Sequence, residues 1–239
     1  MNKVMGLLIV FMLGIHVHAQ AGVVVYGTRF VLNESSSVKV TLQNTDSLPF
    51  LLKNDIGTVK GSNTDGQPIV ITPPLRTIGG SQSIQLRLIC SSCEELPQDR
   101  ESFFWLSISA IPKSSDGNKN NVQIALRQRF KVFYRPKSIL IEDASKAYTR
   151  LKFLKQPSAL YFDVYNSSPF YITIINMYVN GVKVNAPKMI SPFEKVTYEG
   201  CPKEGACTIT WSAIDDFGAI LPAWSVVLDS FLKSGAPKK

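Results

Sequence analysis

The chain of 239 residues contains two histidines, His16 and His18, and both lie in an N-terminal segment built like a secretory signal. Lys3 stands near its start, an apolar run extends from Val4 to Ile15, and Ala19-Gln20-Ala21 forms a small-x-small cleavage site. Cleavage after Ala21 starts the mature protein at Gly22, leaving about 218 residues and no histidine. That removes Ser-His-Asp and Cys-His nucleophiles, HExxH zinc sites and the commonest general acid-base side chain together. No closely spaced acidic pair sits in an apolar context and no nucleotide motif is present. The expectation is a protein without catalysis, cofactor or metal. The apolar run is too short to span a bilayer, and no later segment reaches the length of a membrane helix.

Four cysteines in an exported chain read as two disulfides. Cys90-Ser-Ser-Cys93 has the spacing of a redox dithiol, but that chemistry needs a helix start in a βαβ unit, and the neighbourhood is strand-like. A structural bridge is the favoured reading, with redox work as its alternative. Cys201 and Cys207 enclose Pro-Lys-Glu-Gly-Ala, which reads as a clamped turn. A four-cysteine zinc site would have to join pairs more than a hundred residues apart and is set aside.

The remaining chemistry is cationic. The net charge is +8. Most of it is spread among strand-like segments and is explained by solubility, with no nucleic-acid partner expected. Arg127, Arg129, Lys131 and Arg135 are different, because they share the segment Val122 to Pro136. Val122, Ile124, Leu126, Phe130, Val132 and Tyr134 fall on one parity of that segment, with Arg127, Arg129 and Lys131 on the other. Thirteen extended residues would reach about 43 Å, beyond an ordinary strand, so part of the run should overhang its sheet. A long apolar edge is an aggregation hazard unless something pairs with it, and an anionic ligand suits the cations.

The elements that position these residues are short β-rich runs separated by turn residues, the pattern of β-sandwiches. The first set is Val23 to Leu32, Ser37 to Asn44, Ile69 to Thr72, Ser83 to Ile89, Phe103 to Ile111 and the long run. A polar loop, PKSSDGNKN, precedes the last of these. Arg135-Pro136 stops the run, since proline has no amide hydrogen for a ladder. The second set is Leu160 to Asn166, Tyr171 to Val179, an Asn180-Gly181 hairpin turn, Val182 to Val184, Lys195 to Glu199, Thr208 to Ile214 and Ser225 to Leu232. The division expected is a signal at 1–21, one β domain at 22–136 and a second at 137–239, with a disordered tail from Ser234.

Several segments in order are similar to the periplasmic pilus-assembly chaperones of the chaperone-usher pathway. They are Thr28-Arg29, TPP at Thr72 to Pro74, LPQDRES at Leu96 to Ser102, Ile111-Pro112, QIAL in the long run, KVFYRP at Lys131 to Pro136, NSSPFY at Asn166 to Tyr171, and Ser191-Pro192. The resemblance covers the mature chain and implies an all-β protein of two immunoglobulin-like sandwiches set as an L. It implies that the last strand of the first domain is lent to a pilus subunit lacking a strand, chaperone-pilin pairs being a known example of β-strand addition. Val122, Ile124 and Leu126 would be the donor residues. Arg29 and Lys131 would bind the subunit's C-terminal carboxylate, and Arg135 would form an interdomain ion network with Glu101 and Asp216. The short connection before the long run resembles the short-loop class. The Cys90/Cys93 pair has no counterpart in that pattern, and Cys201/Cys207 lies upstream of where related chaperones often place theirs.

The function implied is an ATP-independent periplasmic chaperone that holds pilus or fimbrial subunits and delivers them to an outer-membrane usher. When it is empty, the expectation is either self-association through Val122 to Leu126 or a segment that stays mobile. The alternative is that the chain is itself a two-domain fibre subunit or adhesin.

Overall fold

Period-two alternation of apolar and polar residues runs through most of the chain, and the strands it produces close on two separate cores. The computed structural model describes residues 22–33, 37–58, 67–113, 123–139, 143–156, 160–185 and 188–228. The first unit holds β1 (Val23–Tyr26), β2 (Arg29–Asn33), β3 (Val38–Asn44), β4 (Phe50–Gly57), β5 (Ile69–Thr72), β6 (Leu75–Ile78), β7 (Ser83–Cys90), β8 (Ser102–Pro112) and β9 (Leu126–Arg135). They form two sheets, in the orders β1-β3-β7-β5 and β2-β9-β8-β4-β6. Leu42, Leu86 and Leu88 from one sheet meet Leu32, Leu52, Leu106 and Val132 from the other, all fully buried.

The run expected as one strand from Val23 to Leu32 is two strands in opposite sheets. β1 pairs with β3, and β2 pairs with β9 as a parallel neighbour. The switch occurs at Gly27, whose φ of 109° lies where residues with a Cβ are strained. The buried parity changes at the break, from Val23 and Val25 to Phe30 and Leu32, but Val24 and Tyr26 make the other parity apolar as well, so periodicity alone hides it. A similar switch joins β5 to β6 through Thr72-Pro73-Pro74, with a cis bond between Thr72 and Pro73. β4 escaped the strand pattern because Asn54 interrupts its apolar alternation. Asn54 is nevertheless buried: its Nδ2 donates to the Pro73 carbonyl at 3.1 Å and its backbone N–H to that of Pro74 at 2.8 Å.

The second unit begins with a 3-10 segment at Ala144–Arg150, whose first turn is capped by Asp143 accepting from the Ser145 amide. It continues with β10 (Lys152–Lys155), β11 (Tyr161–Tyr165), β12 (Ile172–Val179), β13 (Val182–Lys183), β14 (Met189–Ile190), β15 (Lys195–Glu199), β16 (Cys207–Ile214) and β17 (Trp224–Leu228). One sheet has the order β10-β11-β15, the other β13-β12-β16-β17 with β14 also on β12. Trp211, Phe162 and Phe170 fill the space between them, with the Trp211 and Phe153 rings 4.4 Å apart. Trp211 Nε1 donates to the Tyr148 carbonyl at 3.0 Å, tying the 3-10 segment to the core. The β12-β13 hairpin turns at Asn180-Gly181, both at positive φ, as that dipeptide predicts. The protein is all-β, and β6, β10 and the 3-10 segment are elements that the sequence pattern did not show.

Several expectations lie outside the described residues: the signal segment, Val122, most of the PKSSDGNKN loop, the end of the last expected strand and the tail.

Candidate functional site

The long run divides into three stretches with different neighbours. Gln123 to Ala125 belong to no strand. Leu126 to Tyr134 pair with β8, so β9 begins four residues later than the expected start at Val122. β2 pairs with β9 only from Lys131 to Arg135. Between Leu126 and Phe130, therefore, one edge of β9 has no neighbour among the described strands. Ile124 and Leu126, on the parity that becomes core further along, are 77% and 56% exposed here.

The free edge ends at two cations. Arg29 is the first residue of β2 and stands opposite Lys131 in the parallel register. Both reach toward the second unit. Arg29 Nη1 donates to the Ile214 carbonyl at 3.2 Å, and Lys131 Nζ donates to Thr173 Oγ1 at 3.3 Å. Arg29 also lies over the Phe133 ring, 6.0 Å from its centroid. Among the described residues neither cation has a carboxylate within 4.0 Å, and Arg29 Nε is buried without an acceptor. Burial, and then the charge of Arg29, push the Lys131 ammonium down to about 8. Burial also draws the Arg29 guanidinium below its ordinary value, against the more distant Asp216, Asp215 and Glu101. Two like charges thus stand side by side, partly desolvated and short of counter-charge, an arrangement whose repulsion an anion would relieve.

Beside it lies a cleft of about 380 Å³, bordered by Arg29, Phe133, Tyr171 and Phe217. Its floor is an ion network that joins the two units. Arg135 Nε donates to Glu101 Oε1 at 2.8 Å, while Nη1 and Nη2 grip Asp216 at 2.8 and 3.0 Å. Glu101 Oε2 accepts the Tyr171 amide at 2.8 Å. Burial acts against charge on both Arg135 and Glu101. Two carboxylates outweigh it for Arg135, whose pKa rises, whereas Glu101 shares its one arginine with Asp216 and is raised above the usual carboxylate range. Thus LPQDRES, KVFYRP and NSSPFY, distant in sequence, meet at one point.

Asp216 is held by its own turn. Asp215 Oδ1 accepts the amides of Phe217 and Ala219 at 2.9 and 2.8 Å, closing the loop around Gly218. A Cβ on Gly218, whose φ is 90°, would lie 2.4 Å from Thr28 Oγ1. The turn thus abuts the residue preceding Arg29.

NSSPFY has an internal reason as well. Asn166 is fully buried, donates to the carbonyls of Phe170 at 2.7 Å and Ser191 at 3.0 Å, and accepts from Ser168 Oγ at 2.7 Å. This locks the segment to Ser191-Pro192.

The structure joins Cys90 to Cys93 and Cys201 to Cys207. Cys90 ends β7 and Cys93 opens a three-residue 3-10 turn, far short of the helix a redox dithiol uses. The second pair is buried in its unit's core.

Alternation within the cation strand missed one set of residues. Phe133 is on the cationic parity yet buried, because it packs with Phe103 at 5.5 Å and with Tyr171 of the second unit at 5.7 Å. The signal was present: from Phe130 to Tyr134 both parities carry aromatic or aliphatic residues, the mark of a strand covered on both faces.

Residues 22–140 match the family described as pili and flagellar-assembly chaperone, PapD N-terminal domain. Residues 146–225 match pili assembly chaperone PapD, C-terminal domain. The uncharacterized fimbrial chaperone YcbF of Escherichia coli K12 is 31% identical over 207 residues, covering 84% of this chain and 86% of the relative. The crystal structure of the periplasmic chaperone SfaE is 28% identical with a TM-score of 0.72, covering 85% and 98% of the two chains. For the fold, a chain of the Salmonella enterica SafA pilin and SafB chaperone complex gives a TM-score of 0.76 at 22% identity, with 87% and 96% covered. With both of its halves matched and its strands arranged as in these structures, the chain belongs to the PapD-type family of pilus-assembly chaperones.

Proposed function

We propose that this protein binds a pilus or fimbrial subunit by pairing the free edge of β9 with it, holds the subunit folded and unpolymerised in the periplasm, and passes it to an outer-membrane usher. The observation that carries this is the open stretch of β9, flanked by exposed Ile124 and Leu126 and ending at Arg29 and Lys131. Val122, Ile124 and Leu126 fill pockets of a subunit that lacks a strand. Burying Ile124 and Leu126 contributes about 3 to 6 kcal/mol before ordering costs. The subunit's C-terminal carboxylate supplies the missing counter-charge at Arg29 and Lys131, setting the register of the added strand. Glu101, Arg135 and Asp216 hold the two domains, taken as 22–136 and 137–239, in the orientation that forms the cleft. The Cys90–Cys93 and Cys201–Cys207 bridges act as structural staples. The signal is cleaved after Ala21 on export, and in the empty protein the β9 edge is either covered by self-association or kept mobile.

A fibre-subunit role is not supported, since both halves match chaperone domains. Co-expression with a subunit tests the proposal. Ile124→Asp should leave the chaperone's own melting temperature unchanged and Lys131→Ala should leave it no lower, and each should reduce recovery of soluble subunit, the lysine change weakening the complex by about 2 to 5 kcal/mol. Undiminished protection by both folded variants refutes the mode of binding.

A further inference from the structure

We infer that the cationic face of β9 selects a partner strand carrying carboxylate side chains at alternate positions just ahead of its C terminus. This rests on the strand-pairing reading above and adds the chemistry of the segment bound. Arg127, Arg129 and Lys131 share one face of β9, and Arg29 stands beside Lys131 on β2. Arg127 and Arg129 are exposed, and among the described residues neither has a carboxylate within 4.0 Å. Asp55, across the same sheet, lies beyond Ser107, two strands from Arg129. Arg129 rests over the Trp105 ring, 5.2 Å from its centroid, which restrains it on this face.

The register dictates what faces them. A strand occupying the open edge lies in line with β2, and β2 runs parallel to β9 with Arg29 opposite Lys131. A strand whose C terminus stops at Arg29 therefore also runs parallel to β9. Two of its last residues, two positions apart, sit beside Arg129 and Arg127 on the same face, about 4.8 Å away in the pairing direction. Lysine or arginine at those positions would add like charges side by side, and neutral residues would leave the existing repulsion uncompensated. Aspartate or glutamate relieves it.

The test uses nine-residue synthetic peptides with alternating apolar residues. The other parity carries Glu at two of the last four positions, in either of the two registers, or Gln at the same positions. Each peptide is made with a free or an amidated C terminus, and binding to the full mature protein is measured by calorimetry. One Glu register should bind roughly five- to tenfold tighter than its Gln counterpart at low salt, shrinking toward about twofold at 0.5 M salt. Arg127→Gln combined with Arg129→Gln should erase that preference, lowering the Glu peptide's affinity by more than it lowers that of the free-acid Gln peptide. Equal affinity of Glu and Gln free acids, or a Glu preference that survives the double substitution, overturns the selection while the carboxylate anchor stands. Amides that bind as well as acids, or no binding by any peptide, overturns the anchoring reading itself.

Discussion

Raising the pH should weaken subunit binding through one residue, Lys131. In the empty protein burial and the neighbouring Arg29 hold its ammonium at about 8, down from 10.5. A carboxylate arriving at the pair favours the charged lysine, so the bound form has the higher pKa. Below about pH 7 the lysine is charged in both states and affinity is flat. Above about 8, binding must draw a proton from solution, and each pH unit costs up to about tenfold in affinity until the bound lysine also titrates. Full restoration to 10.5 sets the ceiling on the range. Solvent still reaches this side chain, and screening reduces the total to roughly ten- to thirtyfold. The empty chaperone responds with the opposite sign. Its folded lysine binds fewer protons than the unfolded one between about 8 and 10.5, so Lys131 adds stability as pH rises through that window and removes it as pH falls through about 8. Calorimetry of subunit binding in two buffers of different ionisation enthalpy, from pH 6.5 to 9.5, reads the proton directly. Lys131→Arg keeps a cation that does not titrate here and should flatten both curves. Parallel affinity profiles for wild type and Lys131→Arg, with no proton uptake near pH 9, would refute the argument.

Two further predictions concern the joint between the units. Arg135→Ala leaves Glu101 3% exposed with its cation gone and should destabilise the fold by about 3 to 5 kcal/mol, whereas Asp216→Ala removes a partner whose side chain is 36% exposed and should cost about 1 kcal/mol or less. Thermal melts giving the reverse order would show that the outer pair carries the joint. Gly218→Ala forces a Cβ onto Thr28 at a strained φ and should cost about 1 to 3 kcal/mol, and the double substitution with Thr28→Ala should recover the part due to the contact. A melting temperature unchanged by Gly218→Ala would contradict the packing of that turn.

What could be read from the sequence followed from period and punctuation. Strands such as β3 and β7 alternate cleanly, and with β8 they lie within a residue or so of their expected positions. β4 was hidden because the acceptors that let Asn54 be buried come from Pro73 and Pro74, about twenty residues away. The switch at Gly27 was hidden because β1 carries apolar residues on both parities, so the change of buried parity from Val23 to Phe30 and Leu32 does not show in the sequence. The cations of the site were visible as residue types, but their pairing depends on the parallel register of β2 with β9, which is not written in either strand. Phe133 shows the limit: apolar residues on both parities from Phe130 to Tyr134 report that its strand is covered on both faces, but not that the covering neighbour is Tyr171 of the other unit.

The length of β9 available to a partner is set by where β2 begins. Had β2 paired from Leu126 onward, the edge would be covered and no cation pair would stand at its end. Gly27 sends the preceding residues into the other sheet, so the ladder starts at Arg29 and the stretch before Lys131 stays open. The same starting point is touched from the second unit, where the turn that presents Asp216 to Arg135 rests its Gly218 against Thr28. The joint between the units and the end of the open edge therefore share one contact. A change that loosens the turn should displace Arg29 as well as weaken the ion network. An uncovered edge invites unspecific pairing, and charged side chains are a common defence. Arg127 and Arg129 stand on that edge, so the cations proposed to select an acidic strand would also repel a second copy of the basic chaperone, leaving self-association weaker than capture of a subunit.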